Sequence, residues 1–188
     1  MLYVRSRRVA ASTAIALASV AALTALAVLS DVEFTRTVLA LFAVTVVVSV
    51  AATSLAGPDP ALERTAALDW RLRRTAHAVA VGVVASSVAV LGVATDVPAD
   101  MMVRNVIGLT GLATLGVTMF GGGLAWCVPM AWTVAGVTAV LATRTPPAPL
   151  LTWLVQPADS GAAMVAAGVL CAAGLVAYAL AGPSTRSQ

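Results

Sequence analysis

Residues 161–181 read GAAMVAAGVLCAAGLVAYALA, a run of small and apolar residues without a single charge. An α-helix rises about 1.5 Å per residue, so a run of about 20 residues is long enough to cross a hydrocarbon core of about 30 Å. Uninterrupted apolar runs of this length are typical of membrane-spanning helices. The run therefore predicts that residues 161–181 cross a bilayer.

Five other runs along the chain have the same character. They cover residues 9–30, 37–56, 76–95, 102–120 and 124–142. Charged residues, glycine and proline lie between the runs, where turns are expected. The sequence predicts an all-α, polytopic membrane protein in which residues 1–188 form a single transmembrane domain of six helices. We also expect Pro129 to bend the fifth helix, because proline removes a backbone hydrogen bond.

Composition supports the same class of protein. Of the 188 residues, 60% are hydrophobic and 10% are charged, and the mean hydropathy is +0.97. A water-soluble domain carries about 25% charged residues. This balance excludes a disordered chain, a nucleic-acid-binding protein with an extended basic face and a soluble enzyme. The expected solvent is the lipid bilayer, and the expected location is the cell membrane, with several passes.

The arginines cluster on one side of the predicted membrane. That side holds Arg5, Arg7, Arg8, Arg64, Arg71, Arg73, Arg74 and Arg186. The other side holds only Arg36, Arg104 and Arg144. Cytoplasmic loops carry the excess of basic residues in membrane proteins. Both termini are therefore expected in the cytoplasm. This placement requires an even number of spans, which agrees with the six predicted runs.

The sequence lacks the residues that most active sites need. The middle of every predicted span is free of Asp, Glu, Lys, Arg and His, whereas ion-coupled carriers usually need carboxylates or broken helices there. Cys127 and Cys171 have no metal-ligand spacing, and no phosphate-binding or nucleophile motif occurs. We expect no catalytic residue, no metal, no cofactor and no enzymatic activity.

Two groups of polar residues in the fourth run are candidates for a translocation pathway. Arg104 and Asn105 fall near its outer end, and they form either an exposed ion-pair site that snorkels to the surface or the mouth of a pathway. Thr110, Thr114 and Thr118 follow at four-residue spacing, which places them on one face of the helix. That face is expected to be buried between helices or to line the pathway.

Two loops carry further information. In the cytoplasmic loop at residues 59–70, Asp59 can cap a short helix, and Asp69 can cap the next helix with Trp70 at headgroup level. In the outer loop, residues 150–155 are apolar, bounded by prolines and too short to span. We expect this piece to dip into the outer interface, as a re-entrant or a surface-lying segment. Trp153 within it is either an interfacial anchor or a gate.

This arrangement resembles the permease subunits of exporter-type ABC transporters. Shared features are six spans, cytoplasmic ends, a short cytoplasmic helix after the second span and a re-entrant segment before the sixth. Residues 58–66 (PDPALERTA) and 104–112 (RNVIGLTGL) are also similar to small actinobacterial membrane proteins described as ABC-permease-like.

The resemblance implies a coupling helix that docks on a separate ATP-binding subunit. Its contact residues would be Leu62, Glu63, Arg64, Asp69 and Trp70. It also implies a homo- or hetero-oligomer with another permease. The alternative is a membrane protein that does not transport, such as a scaffold, an immunity protein or a regulatory subunit.

Overall fold

The computed structural model describes residues 2–55, 70–86, 94–142 and 149–184. Within these ranges the chain is helical and contains no β-strand, so the all-α class is confirmed. The six long helices are α1 (Leu2–Val28), α2 (Glu33–Ala52), α3 (Trp70–Ser86), α4 (Ala99–Phe120), α5 (Cys127–Ala142) and α6 (Gly161–Ala181). A 3-10 turn, Thr53–Leu55, follows α2. The 149–155 segment before α6 combines a short helix, Pro149–Thr152, with a 3-10 turn, Trp153–Val155.

The helices differ from the predicted runs mainly at their ends. Helix α6 has the predicted bounds, whereas α1 begins seven residues early, at Leu2 rather than residue 9. Helix α5 begins at Cys127 because a turn occupies residues 122–126. Pro129 is its third residue, so the missing N–H is one of the first four, which have no partner within a helix. The prediction that Pro129 bends the helix is therefore wrong.

Within the described ranges, three helices are long and apolar enough to cross a membrane. They are α2, α4 and α6, with mean hydropathies of 2.0, 1.3 and 2.2. The 16 residues of α5 rise about 24 Å, which is short for a hydrocarbon core of about 30 Å. Helix α1 contains the apolar stretch Ala16–Val28. These features are compatible with a membrane protein, and the count of six spans stays a prediction.

Helix α4 is the centre of the bundle. It packs against α2, α3, α5 and α6, and its contact with α6 is the most extensive between any two helices. Protein buries 67% of its apolar window, against 39% for α2 and 28% for α6. Helix α1 packs along α2. The core therefore surrounds α4, and polar residues on α4 meet protein on most sides.

Polar contacts join the helices at both ends of the bundle. At one end, Arg36 pairs with Asp96 (Nη1 to Oδ2, 3.3 Å) and donates to the Ser30 carbonyl at 3.1 Å. At the other end, the Tyr178 hydroxyl donates to the Leu55 carbonyl, and the Ser184 amide donates to the Val117 carbonyl at 3.1 Å. We call these the outer and the inner end, after the predicted orientation, which stays a prediction.

Candidate functional site

Arg104 lies in the second turn of α4, and protein encloses its side chain completely. Its two terminal nitrogens donate to successive backbone carbonyls, Nη1 to Pro157 and Nη2 to Gln156, each at 2.7 Å. Hydrogen bonds from a charged donor are shorter and stronger than neutral ones. The planar guanidinium presents its donors as a fork, so one side chain can hold two adjacent carbonyls.

Asn105, the next residue of α4, also binds a backbone carbonyl. Its Nδ2 donates to the Leu154 carbonyl at 3.0 Å, and its side chain is buried. Arg104 and Asn105 together bind three carbonyls at the end of the 3-10 turn and just after it, those of Leu154, Gln156 and Pro157. We call these two side chains and residues 154–157 the carbonyl clamp.

Trp153 packs beside the carbonyl clamp. Its side chain is fully buried, and a Cβ built on Gly108 would overlap the indole ring. Gly108 lies one turn after Arg104 and three residues after Asn105, so all three share one face of α4. The 149–155 segment also contacts α2, α5 and α6. The interpretation of Trp153 as an anchor at the membrane surface is wrong, because protein rather than lipid surrounds the ring.

The carbonyl clamp continues into the start of α6. Ser160 is the N-cap of α6, and its Oγ accepts from the Ala163 amide at 3.3 Å. The same hydroxyl donates to Gln156 Oε1 at 2.6 Å. An N-cap of this kind satisfies one of the free amides at a helix start. Residues 149–160 are therefore tied both to α4 and to α6.

Arg104 is buried, and it forms no salt bridge with Asp96 or Asp100, the two aspartates near it in the sequence. Asp96 pairs with Arg36 instead, and Asp100 Oδ1 accepts from the Met101 amide at 2.9 Å. The interpretation of Arg104 as an exposed ion-pair site that snorkels is therefore wrong. Its pathway role and that of Asn105 stay predictions.

Some buried polar atoms of the carbonyl clamp and of Trp153 have no hydrogen-bond partner among the described residues. They are Arg104 Nε, Asn105 Oδ1 and Trp153 Nε1. Each buried donor or acceptor without a partner costs free energy. The net stabilisation by the carbonyl clamp is therefore smaller than its three hydrogen bonds suggest.

The three threonines of α4 have different surroundings. Thr114 is fully buried and donates to its own helix, to the Gly111 carbonyl at 2.8 Å. Thr118 donates to the Leu115 carbonyl at 2.7 Å. Thr110 is 4% exposed, and its Oγ1 has no hydrogen-bond partner among the described residues. The hydroxyl of Thr110 is thus the one in this group left without a hydrogen bond, and the pathway role of all three stays a prediction.

Close contact between α4 and α6 depends on two glycines that the sequence analysis did not single out. A Cβ on Gly111 would overlap the backbone of Leu170, and a Cβ on Gly174 would overlap the Gly111 carbonyl. Small residues let helices approach this closely in lipid. A glycine inside a helix costs about 1 kcal/mol relative to alanine, which is the signal that could have indicated a packing role.

A second polar contact joins α2 to α5. The hydroxyls of Thr45 and Thr133 lie 3.0 Å apart, and both side chains are fully buried. Thr133 lies one turn after Pro129 and is also within hydrogen-bond distance of the Pro129 carbonyl, at 2.9 Å. This pair was not predicted, because isolated threonines in two runs give no sign that they meet.

The predicted partner-coupling residues fall mostly beyond the described ranges. Leu62, Glu63, Arg64 and Asp69 lie outside the described residues, and Trp70 is the first residue of α3. In the part of the chain that the structure describes, His, Cys, Asp and Glu form no group of three that could hold a metal ion. The interaction with an ATP-binding subunit therefore stays a prediction.

The chain matches no family model, and comparisons with curated proteins and with solved structures give no match.

Proposed function

We propose that the chain is a multi-pass protein of the cell membrane, with six spans and both termini in the cytoplasm. We further propose that it is a permease-like subunit of an ABC-type exporter and forms part of a translocation pathway. The observation that carries this proposal is the position of the 149–155 segment. It turns back into the bundle between the fifth and sixth helices, where Asn105 holds its Leu154 and Arg104 holds the next two residues, Gln156 and Pro157.

The positions of the acidic residues support a separate ATP-binding subunit as the source of energy. The three helices of spanning length carry acidic residues only in their first turns, Glu33 on α2 and Asp100 on α4. Proton- or sodium-driven transport usually relies on carboxylates near the membrane midplane. Energy for transport then has to come from a partner. The loop at residues 59–70, with Leu62, Glu63, Arg64, Asp69 and Trp70, is the proposed docking point.

A second candidate is a scaffold, immunity or regulatory protein that does not transport. It is favoured by the bonds that the candidate pathway residues make. Arg104, Asn105 and Thr114 all donate to backbone carbonyls of this chain, so these donors serve packing. A polar pathway would instead leave such donors free for substrate.

Co-purification of ATP hydrolysis distinguishes the two candidates. The full chain carries an affinity tag and is expressed in its own organism, and the membranes are dissolved in mild detergent. We expect ATPase activity to purify with the wild-type chain, and we expect the double charge reversal Glu63→Arg with Arg64→Glu to remove it. The expression level and the unfolding midpoint of the chain should not change.

The matched control is Asp159→Arg, a charge reversal at an exposed residue of the outer end. It should retain the ATPase. If the double variant Glu63→Arg with Arg64→Glu co-purifies as much ATPase activity as the wild type, the proposed docking point is contradicted. A wild-type chain that purifies without any ATP hydrolysis would contradict the exporter proposal and favour the second candidate.

A further inference from the structure

A cleft of about 180 Å³ lies between α3, α4 and α6. Aliphatic side chains line it, among them Val79 and Val83 on α3, Ile107 on α4 and Leu175 on α6. Val79 and Val83 are exposed at the bundle surface, which faces lipid if these helices span the membrane. The described residues that line the cleft include no charged side chain. A ligand can therefore enter from the membrane, and a charged one would find no counter-charge.

Thr110 lines this cleft, and its hydroxyl is buried. A Cβ built on Gly82 across the cleft would be 3.6 Å from Thr110 Oγ1. Thr110 is also the twelfth of the 22 residues of α4, so the hydroxyl lies at mid-height of the helix. The other hydroxyl of the cleft, on Ser86, already donates to the Gly82 carbonyl at 2.9 Å. Thr110 therefore supplies an unpaired hydrogen-bonding group in apolar surroundings, which costs free energy.

We propose that this cleft binds an uncharged amphiphile dissolved in the membrane. Its hydrocarbon part fills the space between α3, α4 and α6, and its single hydroxyl forms a hydrogen bond with Thr110 Oγ1. The proposal goes beyond exporter function, because it concerns binding alone and holds whether or not the chain transports.

The size of the cleft limits how much of a ligand it can enclose. Its volume of about 180 Å³ exceeds the space that one water molecule needs, so it has room for part of a short hydrocarbon chain. A helix of a neighbouring protein is about 10 Å wide and does not fit. Water alone would have few polar partners here, whereas a buried water typically makes about three hydrogen bonds. A medium-chain alcohol has the right size and polarity, and it is the probe for the test.

Cys171 is a natural reporter, because it lines the same cleft and is partly exposed. Cys127→Ser makes it the only thiol of the full-length protein. The rate of its alkylation by N-ethylmaleimide is measured in detergent with increasing 1-octanol or n-octane. We expect octanol to protect Cys171 at about threefold lower concentration than octane, the value of an average hydrogen bond between membrane helices.

Thr110→Val removes the hydroxyl and should abolish the difference between octanol and octane. Thr110→Ser is the matched control, because it keeps a hydroxyl and should keep the difference. Gly82→Ala should weaken protection by both probes, since its methyl group takes up space at an ordinary contact distance of 3.6 Å from Thr110. The variant Cys171→Ser leaves Cys127 on α5 as the reporter, and its alkylation should not respond.

Equal protection of Cys171 by octanol and octane in the protein that keeps Thr110 would overturn the proposed occupant. A difference that survives Thr110→Val would overturn the role of this hydroxyl. Protection that Gly82→Ala leaves unchanged would place the probe outside the cleft and overturn the site. Unfolding midpoints of all variants, measured in the same detergent, show that each comparison is made on folded protein.

Discussion

Helix α4 has a packed side, which meets α6 and Trp153, and an open side, which faces the cleft shared with α3. Glycine lies at the helix contacts on both sides, with opposite results. On the packed side, Gly111 meets the backbone of α6, and Gly108 meets the ring of Trp153. On the open side, Gly82 of α3 faces Thr110 with room for an added methyl group. A glycine at a helix contact thus either brings two backbones together or leaves a cleft. The surrounding residues decide which of the two occurs.

Polar side chains follow the same division in part, although Arg104 Nε and Asn105 Oδ1 on the packed side also lack partners among the described residues. On the packed side, Arg104 and Asn105 reach backbone carbonyls of residues 154–157. On the open side, the Thr110 hydroxyl has no partner among the described residues. In lipid, the packed arrangement stabilises the fold, whereas the open one leaves a group available to a ligand. Three sets of substitutions test this comparison.

The largest effect is expected from Gly111→Ala. The added Cβ would overlap the backbone of Leu170, which cannot rotate away as a side chain can. Helices α4 and α6 then have to separate, and we expect the free energy of unfolding to fall by about 3 kcal/mol. Unfolding of the purified protein in mixed micelles with increasing SDS measures this loss.

The matched control on the open side is Gly82→Ala. Its Cβ would lie at an ordinary contact distance, 3.6 Å from Thr110. Alanine is a better helix former than glycine by up to about 1 kcal/mol, so this variant should be as stable as the wild type or more stable. Similar losses from the two substitutions would break the distinction between the packed and the open side.

An intermediate effect is expected from Arg104→Met, which removes both charged donors of the carbonyl clamp. The change also removes a buried charge, so we expect a net loss of about 2 kcal/mol rather than the full value of two charged hydrogen bonds. Hydrogen exchange should rise most at the amides around Gln156 and Pro157, because this stretch loses its contact with α4 and opens more often.

Arg104→Lys is the informative control for that substitution. Lysine keeps the charge, but its ammonium group cannot hold two adjacent carbonyls as the planar fork does. We expect its unfolding free energy to lie between those of the wild type and Arg104→Met. A lysine variant as stable as the wild type would show that the charge alone, and not the fork, holds the segment.

The smallest effect is expected from Thr110→Val, and its sign is opposite. Replacing an unpaired buried hydroxyl with a methyl group should raise the free energy of unfolding, by about 1 kcal/mol or less. Thr114→Val is the comparison, since Thr114 donates to carbonyls of its own helix, and it should lower or not change stability. A lower stability for Thr110→Val would mean that its hydroxyl already has a partner.

The positions of the long helices could be predicted from the sequence. Long apolar runs mark them, and the prediction for residues 161–181 agrees with α6. The ends were less predictable, because hydropathy does not register a turn such as residues 122–126. It also did not register that Pro129 falls in the first turn of α5.

The carbonyl clamp could be predicted only in part. The sequence placed Arg104 and Asn105 near the outer end and placed an apolar segment at residues 150–155. The sequence could not predict that Arg104 contacts this segment's end, because the acceptors are backbone carbonyls 52 and 53 residues after Arg104. Every residue type has such a carbonyl, so no side chain marks it. Gly111 and Gly174 likewise indicate close packing, but the sequence does not show which helix each of them contacts.

The Tyr178 hydrogen bond to the Leu55 carbonyl joins the inner ends of α2 and α6, because Leu55 ends the 3-10 turn that follows α2. Helix α6 packs against the backbone of α4 at Gly111, and Arg104 of α4 holds the carbonyls of residues 156 and 157. Contacts within the chain therefore run without a break from the inner end of the bundle to the outer end.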